Sequence, residues 1–209
     1  NHLLVVVKEP GIPVQADASG DPDLLTLLKA YLKEKYGKPG NVYLGLVHRL
    51  DRMTGGVMVF AKTSKAAGRL AAQFRSRSTG KHYLAVTTAP LVPPAGRLVH
   101  RLLKDRERNM VRVDPAGQEA VLEYVTRETA AGLTLVEISL ETGRGHQIRV
   151  QLAAAGAPLW GDHRYGGGSF RSGEDLALWA ATLELEHPVG GEPLRFSADP
   201  PDVRPWNGF

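Results

Sequence analysis

Leu133-Thr134-Leu135-Val136-Glu137-Ile138-Ser139-Leu140, preceded by Leu122-Glu123-Tyr124-Val125-Thr126-Arg127 and the break Ala130-Ala131-Gly132, is the stretch that decides the fold. Both segments are strand-like in composition, and a short glycine-bearing break between two such runs predicts an antiparallel hairpin. The loop Glu141-Thr142-Gly143-Arg144-Gly145 follows at once and opens into a helix from about His146 to Ala155, which Gly156 stops. Nearer the N-terminus, Leu3 to Val7 reads as a strand ended by Pro10-Gly11. A helix is then expected with Asp21 as its N-cap and Pro22 in its first turn. It carries Leu24, Leu27, Leu28, Tyr31 and Leu32 at helical spacing and stops at Gly37. Val57 to Ala61 is a short buried-type strand leading to Ser64, which is expected to cap a helix with Ala67, Leu70, Ala71 and Phe74 on one face. Lys81 to Thr88 is a further strand, with Tyr83, Ala85 and Thr87 on the same side. Strands outnumber helices and do not alternate regularly with them. The prediction is an α+β fold, with a mixed, largely antiparallel central sheet and flanking helices, rather than a doubly wound one.

At 209 residues and 43% hydrophobic content, the chain is long enough for one well-cored domain over residues 1–209, with halves meeting near 90–96. The net charge is only +4, but its placement is uneven. Lys62, Lys65, Arg69, Arg75, Arg77 and Lys81 fall in a run without a single acid. Arg97, Arg101, Lys104, Arg106, Arg108 and Arg112 face only Asp105 and Glu107. A polyanionic partner fits these runs, and so does an ordinary solvated helix face. Cysteine is absent, which removes disulfides and thiolate metal sites and fits a reducing compartment. The seven histidines lack metal-site spacing, so no metal is expected. The longest apolar runs are strand-sized, and no membrane partner is predicted. The chain begins at Asn1 rather than methionine, as it would if an upstream segment had been removed.

Two constellations carry chemistry. His48-Arg49-Leu50-Asp51-Arg52-Met53-Thr54-Gly55-Gly56 sets one carboxylate between arginines at a glycine-loosened turn. Neighbouring guanidinium groups favour the ionised Asp51, which suits a nucleophile or charge stabiliser; the plainer reading is an Arg-Asp pair closing a surface loop. The second, Thr142-Gly143-Arg144-Gly145-His146-Gln147-Ile148-Arg149, places cationic and hydrogen-bonding side chains at a strand-to-helix junction, where free backbone N–H groups already favour anions. His146 and Arg149 share one helix face there. The plainer reading is packing and surface chemistry.

Together these segments resemble the RluA-type pseudouridine synthases, which isomerise uridine to pseudouridine within RNA. Val6-Val7-Lys8-Glu9-Pro10-Gly11 is similar to the family's first strand and its Lys-x-Pro-Gly turn, and residues 48–56 to the motif that holds its nucleophilic aspartate. Lys81-His82-Tyr83 matches its Lys-x-Tyr segment, residues 142–149 its Thr-Gly-Arg-x-His-Gln-Ile-Arg run, and Gly161-Asp162-His163-Arg164-Tyr165-Gly166 its Gly-Asp-x-x-Tyr-Gly. Three departures stand out. Gly55 replaces the usual serine, Gly145 and Gln151 replace threonine and histidine, and the small N-terminal RNA-binding domain of many relatives is not visible.

The resemblance implies an RNA-directed isomerase without cofactor or metal. Asp51 would act on the ribose, either by attacking the anomeric carbon or by removing a ribose proton to give a glycal-type intermediate. Arg149 would orient the Asp51 carboxylate, and Tyr83 would stack on the target uracil and assist loss of the carbon 5 proton. Arg49 would fill the gap left by the extruded base or hold phosphate. RNA contacts are expected from Arg52, Arg144, His146, Gln147, Lys62, Arg75, Arg77 and Lys81. The implied partner is ribosomal RNA, slightly ahead of transfer RNA, and the implied state is a cytoplasmic monomer. Two alternatives stay open. One is a non-catalytic RNA-binding relative of the same fold. The other is a phosphate-handling hydrolase or transferase built on the Gly143 loop, which needs a metal or a second carboxylate; Asp162 is the motif carboxylate to consider.

Overall fold

The computed structural model describes residues 2–105, 107–167 and 173–209. Its elements run β1 (Leu3–Lys8), α1 (Leu24–Lys35), β2 (Gly45–Leu46), β3 (Gly55–Ala61), α2 (Ser64–Ser76), β4 (Gly80–Thr87), β5 (Ala95–Asp105), β6 (Met110–Val113), β7 (Gln118–Ala130), β8 (Leu133–Leu140), α3 (Gln147–Ala154), β9 (Leu178–Glu186) and β10 (Pro193–Ser197), with a single 3₁₀ turn at Trp206–Gly208. This is the expected α+β class. The chain divides into two compact units, residues 1–80 with 182–198, and residues 81–181 with 199–209. Residues 90–96, where the sequence suggests a junction, lie inside the second unit and lead into β5.

In the first unit β3 pairs antiparallel with β1 and with the short β2, while β10 pairs antiparallel with the end of β9. Every residue of β3 is buried, as its unbroken apolar run requires of a strand covered on both faces. One face, Val57, Val59 and Ala61, packs on Ala66 and Leu70 of α2 and on Leu183 and Leu185 of β9. Both helix caps fall near the expected ones but not on them. Asp23, not Asp21, caps α1, because its carboxylate reaches the Thr26 N–H at 3.0 Å; Asp21 pairs with Arg52 instead. Thr63, not Ser64, caps α2 by accepting from the Ala66 N–H. The loop ahead of α1 is tied to it as well, since the Leu24 and Leu25 N–H groups donate to the carbonyls of Pro13 and Val14.

The second unit is an antiparallel meander in which β4 pairs with β8, β8 with β7, β7 with β5 and β5 with β6. The predicted hairpin is β7–β8. Its turn is Ala131-Gly132, both at positive φ (49° and 79°), and a register shift between Thr126 and Glu128 bends β7. The hairpin β5–β6 lies where the sequence suggests only a basic stretch. Helix α3 lies on this sheet, with Val150 against Leu102, Val111 and Ala120. Gln151 anchors it further: this fully buried amide donates to the carbonyls of Leu98 and Ala120 at 3.1 Å each.

Candidate active site

Arg49, Asp51, Arg52, Lys62, Arg75 and Arg77 belong to the first unit; Lys81, Tyr83, Arg144, His146, Gln147 and Arg149 belong to the second.

The Asp51 turn is built from the inside out. His48 anchors its start: the ring accepts from the Val59 N–H at Nε2 (3.0 Å) and stacks on Phe74 with centroids 4.6 Å apart. Leu50 is buried, so the chain turns outward at Asp51, and the Thr54 N–H closes the turn on the Asp51 carbonyl at 3.0 Å. Behind the turn sits Lys8, the last residue of β1 and fully buried, whose ammonium donates to the carbonyls of Glu9 and Arg52 at 2.8 Å each. Lys8 pairs in register with Gly56, which has a φ of 119°. Burial pushes the Lys8 pKa down from 10.5 to about 8, against the opposing pull of the Asp51 and Glu9 charges; the Arg52 charge adds to the lowering. Two reciprocal bonds finish the brace, from the Gly11 N–H to the Arg52 carbonyl (2.9 Å) and from Arg52 Nε to the Gly11 carbonyl (2.8 Å). The Lys-Glu-Pro-Gly segment is thus the mount of the Asp51 turn. Sequence reading missed Lys8 as a site residue, although a lysine ending an apolar strand was the available signal.

The Arg52 guanidinium is held by Gly11 and by the ion pair with Asp21, so it forms part of the mount while its side chain stays 41% exposed. Arg49 is exposed, with Nη1 3.5 Å from Gln15 Oε1. Arg75 and Arg77 are exposed near the C-terminal end of α2, where Arg77 adopts a left-handed φ of 60° to end the helix. Lys62 lies 4.8 Å above the Tyr36 ring.

In the second unit Arg149 projects from α3 and is 7% exposed. Its Nε and Nη2 form a two-pronged pair with Asp162 Oδ2 and Oδ1 at 2.9 and 2.7 Å. Asp162 also accepts the backbone N–H groups of Arg164 and Tyr165 at 3.1 Å each. Burial pushes this carboxyl up, yet the Arg149 hydrogen bonds and charge with those two N–H groups hold it below its ordinary value. The fork fixes the plane of the guanidinium, and the Tyr165 ring lies 5.1 Å from its Cζ. Asp162 is therefore the orienting partner of Arg149, a role that the sequence left unassigned.

The loop ahead of α3 is pinned by Thr142, whose hydroxyl accepts from the Val121 N–H and donates to Gln147 Oε1, both at 2.8 Å. Gln147 was expected to touch RNA. Instead it is buried, its Oε1 also accepts from the Arg144 N–H, and its Nε2 donates to the Val121 carbonyl at 3.0 Å. An amide spent inside its own loop is a brace. Arg144 Nε donates to the Glu119 carbonyl at 3.0 Å, and Lys81 Nζ lies 3.5 Å from the Thr142 carbonyl. Tyr83 is half-buried on β4, opposite Ile138 of β8. In the second basic stretch Arg97 forks onto Glu141 and Arg112 pairs with Asp114, so nearby acids already engage part of that charge; Arg106 lies outside the described residues. Among the described residues no three side chains from His, Asp and Glu gather to hold a metal ion.

A family model described as RNA pseudouridylate synthase matches residues 2–154. The ribosomal large subunit pseudouridine synthase D of Xanthomonas campestris is 40% identical over 97% of this chain, and its counterpart in Xylella fastidiosa is 37% identical over 96%. The chain spans 64% of the length of each. Among solved structures, human RNA pseudouridylate synthase domain containing 4 is similar with a TM-score of 0.80 and 27% identity, over 96% of this chain and 86% of that one.

Proposed function

The chain belongs to the RNA pseudouridylate synthase family, and from that premise we propose that it isomerises uridine to pseudouridine within RNA through Asp51. The observation that carries the reading is the Asp51 turn itself. A half-buried carboxylate sits where the chain turns outward, on a mount made of the buried Lys8 ammonium and two bonds between Gly11 and Arg52. Such a mount holds a reacting carboxylate in a fixed place.

The reaction breaks the bond from ribose C1′ to the base nitrogen, turns the uracil, joins C1′ to C5 and releases the C5 hydrogen as a proton. Asp51 serves at the ribose, as attacker of C1′ or as the base that removes a ribose proton. Tyr83 supplies a flat face for the uracil and a phenol close to the departing proton. Arg149, with its plane set by Asp162, is the cation for the Asp51 carboxylate. Arg49, Arg52, Arg75, Arg77, Lys62, Lys81, Arg144 and His146 contribute the RNA contacts, and phosphate neutralisation by the exposed arginines offsets the few kcal/mol needed to extrude a stacked base. Two relatives that carry a large ribosomal subunit in their names support ribosomal RNA ahead of transfer RNA as substrate. The same reading places the protein in the cytoplasm as a monomer.

The test is to incubate large-subunit ribosomal RNA transcripts with the protein, modify the product with carbodiimide and map reverse-transcription stops. New stops at defined uridines, absent with Asp51→Asn, support the proposal. Tight transcript binding without any new stop favours the non-catalytic RNA-binding alternative.

A further inference from the structure

Helix α1 and the loop after it take no part in the chemistry above, yet their surface has an unusual composition. From Leu24 to Tyr43 the chain carries Lys29, Lys33, Lys35 and Lys38 with Tyr31, Tyr36 and Tyr43, against the single acid Glu34. The helix buries Leu24 and Leu32. Its other side leaves Tyr31 47% exposed, and Tyr36 and Tyr43 beyond it are 51% and 49% exposed. Two of these rings carry ammonium groups. Lys35 Nζ lies 5.1 Å from the centroid of Tyr31 and donates to its hydroxyl at 2.7 Å. Lys62, the residue after β3, lies 4.8 Å from the centroid of Tyr36 and donates to its hydroxyl at 3.3 Å, while Lys38 stands 6.0 Å from the same ring. The Lys62 hydrogen bond and charge pull the Tyr36 phenol below its ordinary pKa against desolvation, and the Lys35 and Lys38 charges add to the pull. Three ammonium groups thus act on one exposed ring. Among the described residues none of Lys29, Lys33, Lys35, Lys38 and Lys62 forms an ion pair with a carboxylate, so like charges are gathered here without a counter-charge from the protein.

The start of α1 is tied to the Asp51 turn by the ion pair of Asp21 with Arg52 and by the bonds of the Leu24 and Leu25 N–H groups to Pro13 and Val14. Twelve residues of helix run from there to Lys35, a rise of about 18 Å. A uridine held at Asp51 does not span that distance, but a few nucleotides of the strand that flanks it do. We propose that this surface is a second RNA contact, in which Tyr31 and Tyr36 are stacking platforms for unpaired bases flanking the target uridine and Lys35, Lys38 and Lys62 neutralise the phosphates between them. Stacking needs flat exposed rings, and the phosphates beside each stacked base need cations; both are present within one side chain's reach. A membrane surface would call for an aliphatic and aromatic face, and Leu27 is the one exposed large aliphatic residue on α1. A protein partner would call for a lysine-poor centre, whereas here the rings themselves are ringed by lysines. The inference rests on the reading that the chain acts on RNA.

Fluorescence anisotropy with a labelled single-stranded RNA of about twelve nucleotides that contains no uridine reads this surface apart from isomerisation. The Tyr31→Ala/Tyr36→Ala variant should bind it about five- to fiftyfold more weakly than the wild type, as loss of stacking for one or two bases requires. Tyr31→Phe/Tyr36→Phe should stay within about threefold, because the rings are kept and only the hydroxyl bonds to lysine are lost. Lys35→Gln/Lys38→Gln should lower the slope of log Kd against log salt by about 1, and this pair decides the charge side even should the tyrosine variants fold poorly. Wild-type affinity in the alanine variant, a loss in the phenylalanine variant as large as in the alanine one, or an unchanged salt slope overturns the proposal. So does binding to phosphatidylglycerol vesicles that the lysine variant abolishes while its RNA binding is untouched, which assigns the surface to a membrane. If no transcript is isomerised but these binding differences are found, the activity reading fails and this one stands. Isomerisation by the wild type with the same KM for transcript in every variant does the reverse.

Discussion

Replacing Lys8 by methionine removes a buried ammonium and keeps most of its volume, and the consequence can be worked out from the structure. With its pKa lowered from 10.5 to about 8 by burial, Lys8 sheds its proton in the native protein well before it does so in the unfolded chain. Between those two values the unfolded state binds more protons, so wild-type stability rises with pH across that window; below about pH 8 the cost of the buried charge is present in full. The whole shift corresponds to about 3 kcal/mol, and partial screening by water near the turn reduces the expected rise to between about 1 and 3 kcal/mol. Lys8→Met has no such group. Urea unfolding of both proteins at several pH values from about 7 to about 10.5 isolates the effect, because the other lysines and tyrosines titrate in both and cancel in the difference. The wild type should gain on the variant by that amount as pH rises. A difference that stays constant over the range, or that moves against the wild type, would refute the assignment of a charged, desolvated Lys8 beneath the Asp51 turn.

Asp162→Asn removes the forked carboxylate partner of the buried Arg149 guanidinium and should destabilise the protein by about 3 to 5 kcal/mol in thermal or urea unfolding. Because the native Asp162 carboxyl is held below its ordinary value, its contribution is complete above that value and fades as pH falls through the lower native one. The acid limb of the wild-type stability curve should therefore be steeper than that of Asp162→Asn. Ala131→Asn in the β7–β8 turn relieves a left-handed alanine at φ 49° and should raise stability by about 0.5 to 1 kcal/mol, seen as a higher melting temperature. Changing the exposed Arg75 and Arg77 together to glutamine should weaken transcript binding and lower the slope of log Kd against log salt by about 1 to 2, with kcat at saturating RNA unchanged.

What was legible in the sequence was local. The 122–140 hairpin announces itself because its alternation and its glycine turn are contiguous, and β3 because an unbroken apolar run permits burial on both faces. The β5–β6 hairpin was harder. Its exposed face carries Arg97 and Arg101, so charge masked an alternation in which Leu98 and Leu102 point the other way. The two cap positions slipped by one or two residues, since Asp21 and Asp23, or Thr63 and Ser64, differ only in which side chain reaches the first free N–H groups. The site divides in the same way. Asp51, Arg149 and His146 stand out in short motifs, whereas what holds them is distant in sequence: Lys8 reaches the Arg52 carbonyl 44 residues away, and Arg149 meets Asp162 13 residues on. Gln147 shows the converse, because a polar residue inside a binding-type motif looks like a contact until its amide is found satisfied within its own loop.

If Asp51 isomerises uridine in RNA, tritium placed at uridine C5 of a transcript is released, since that hydrogen leaves only when the new carbon–carbon bond has formed. Release from large-subunit ribosomal RNA is expected with the wild-type chain and none with Asp51→Asn at equal transcript binding. Release that persists in Asp51→Asn would contradict it.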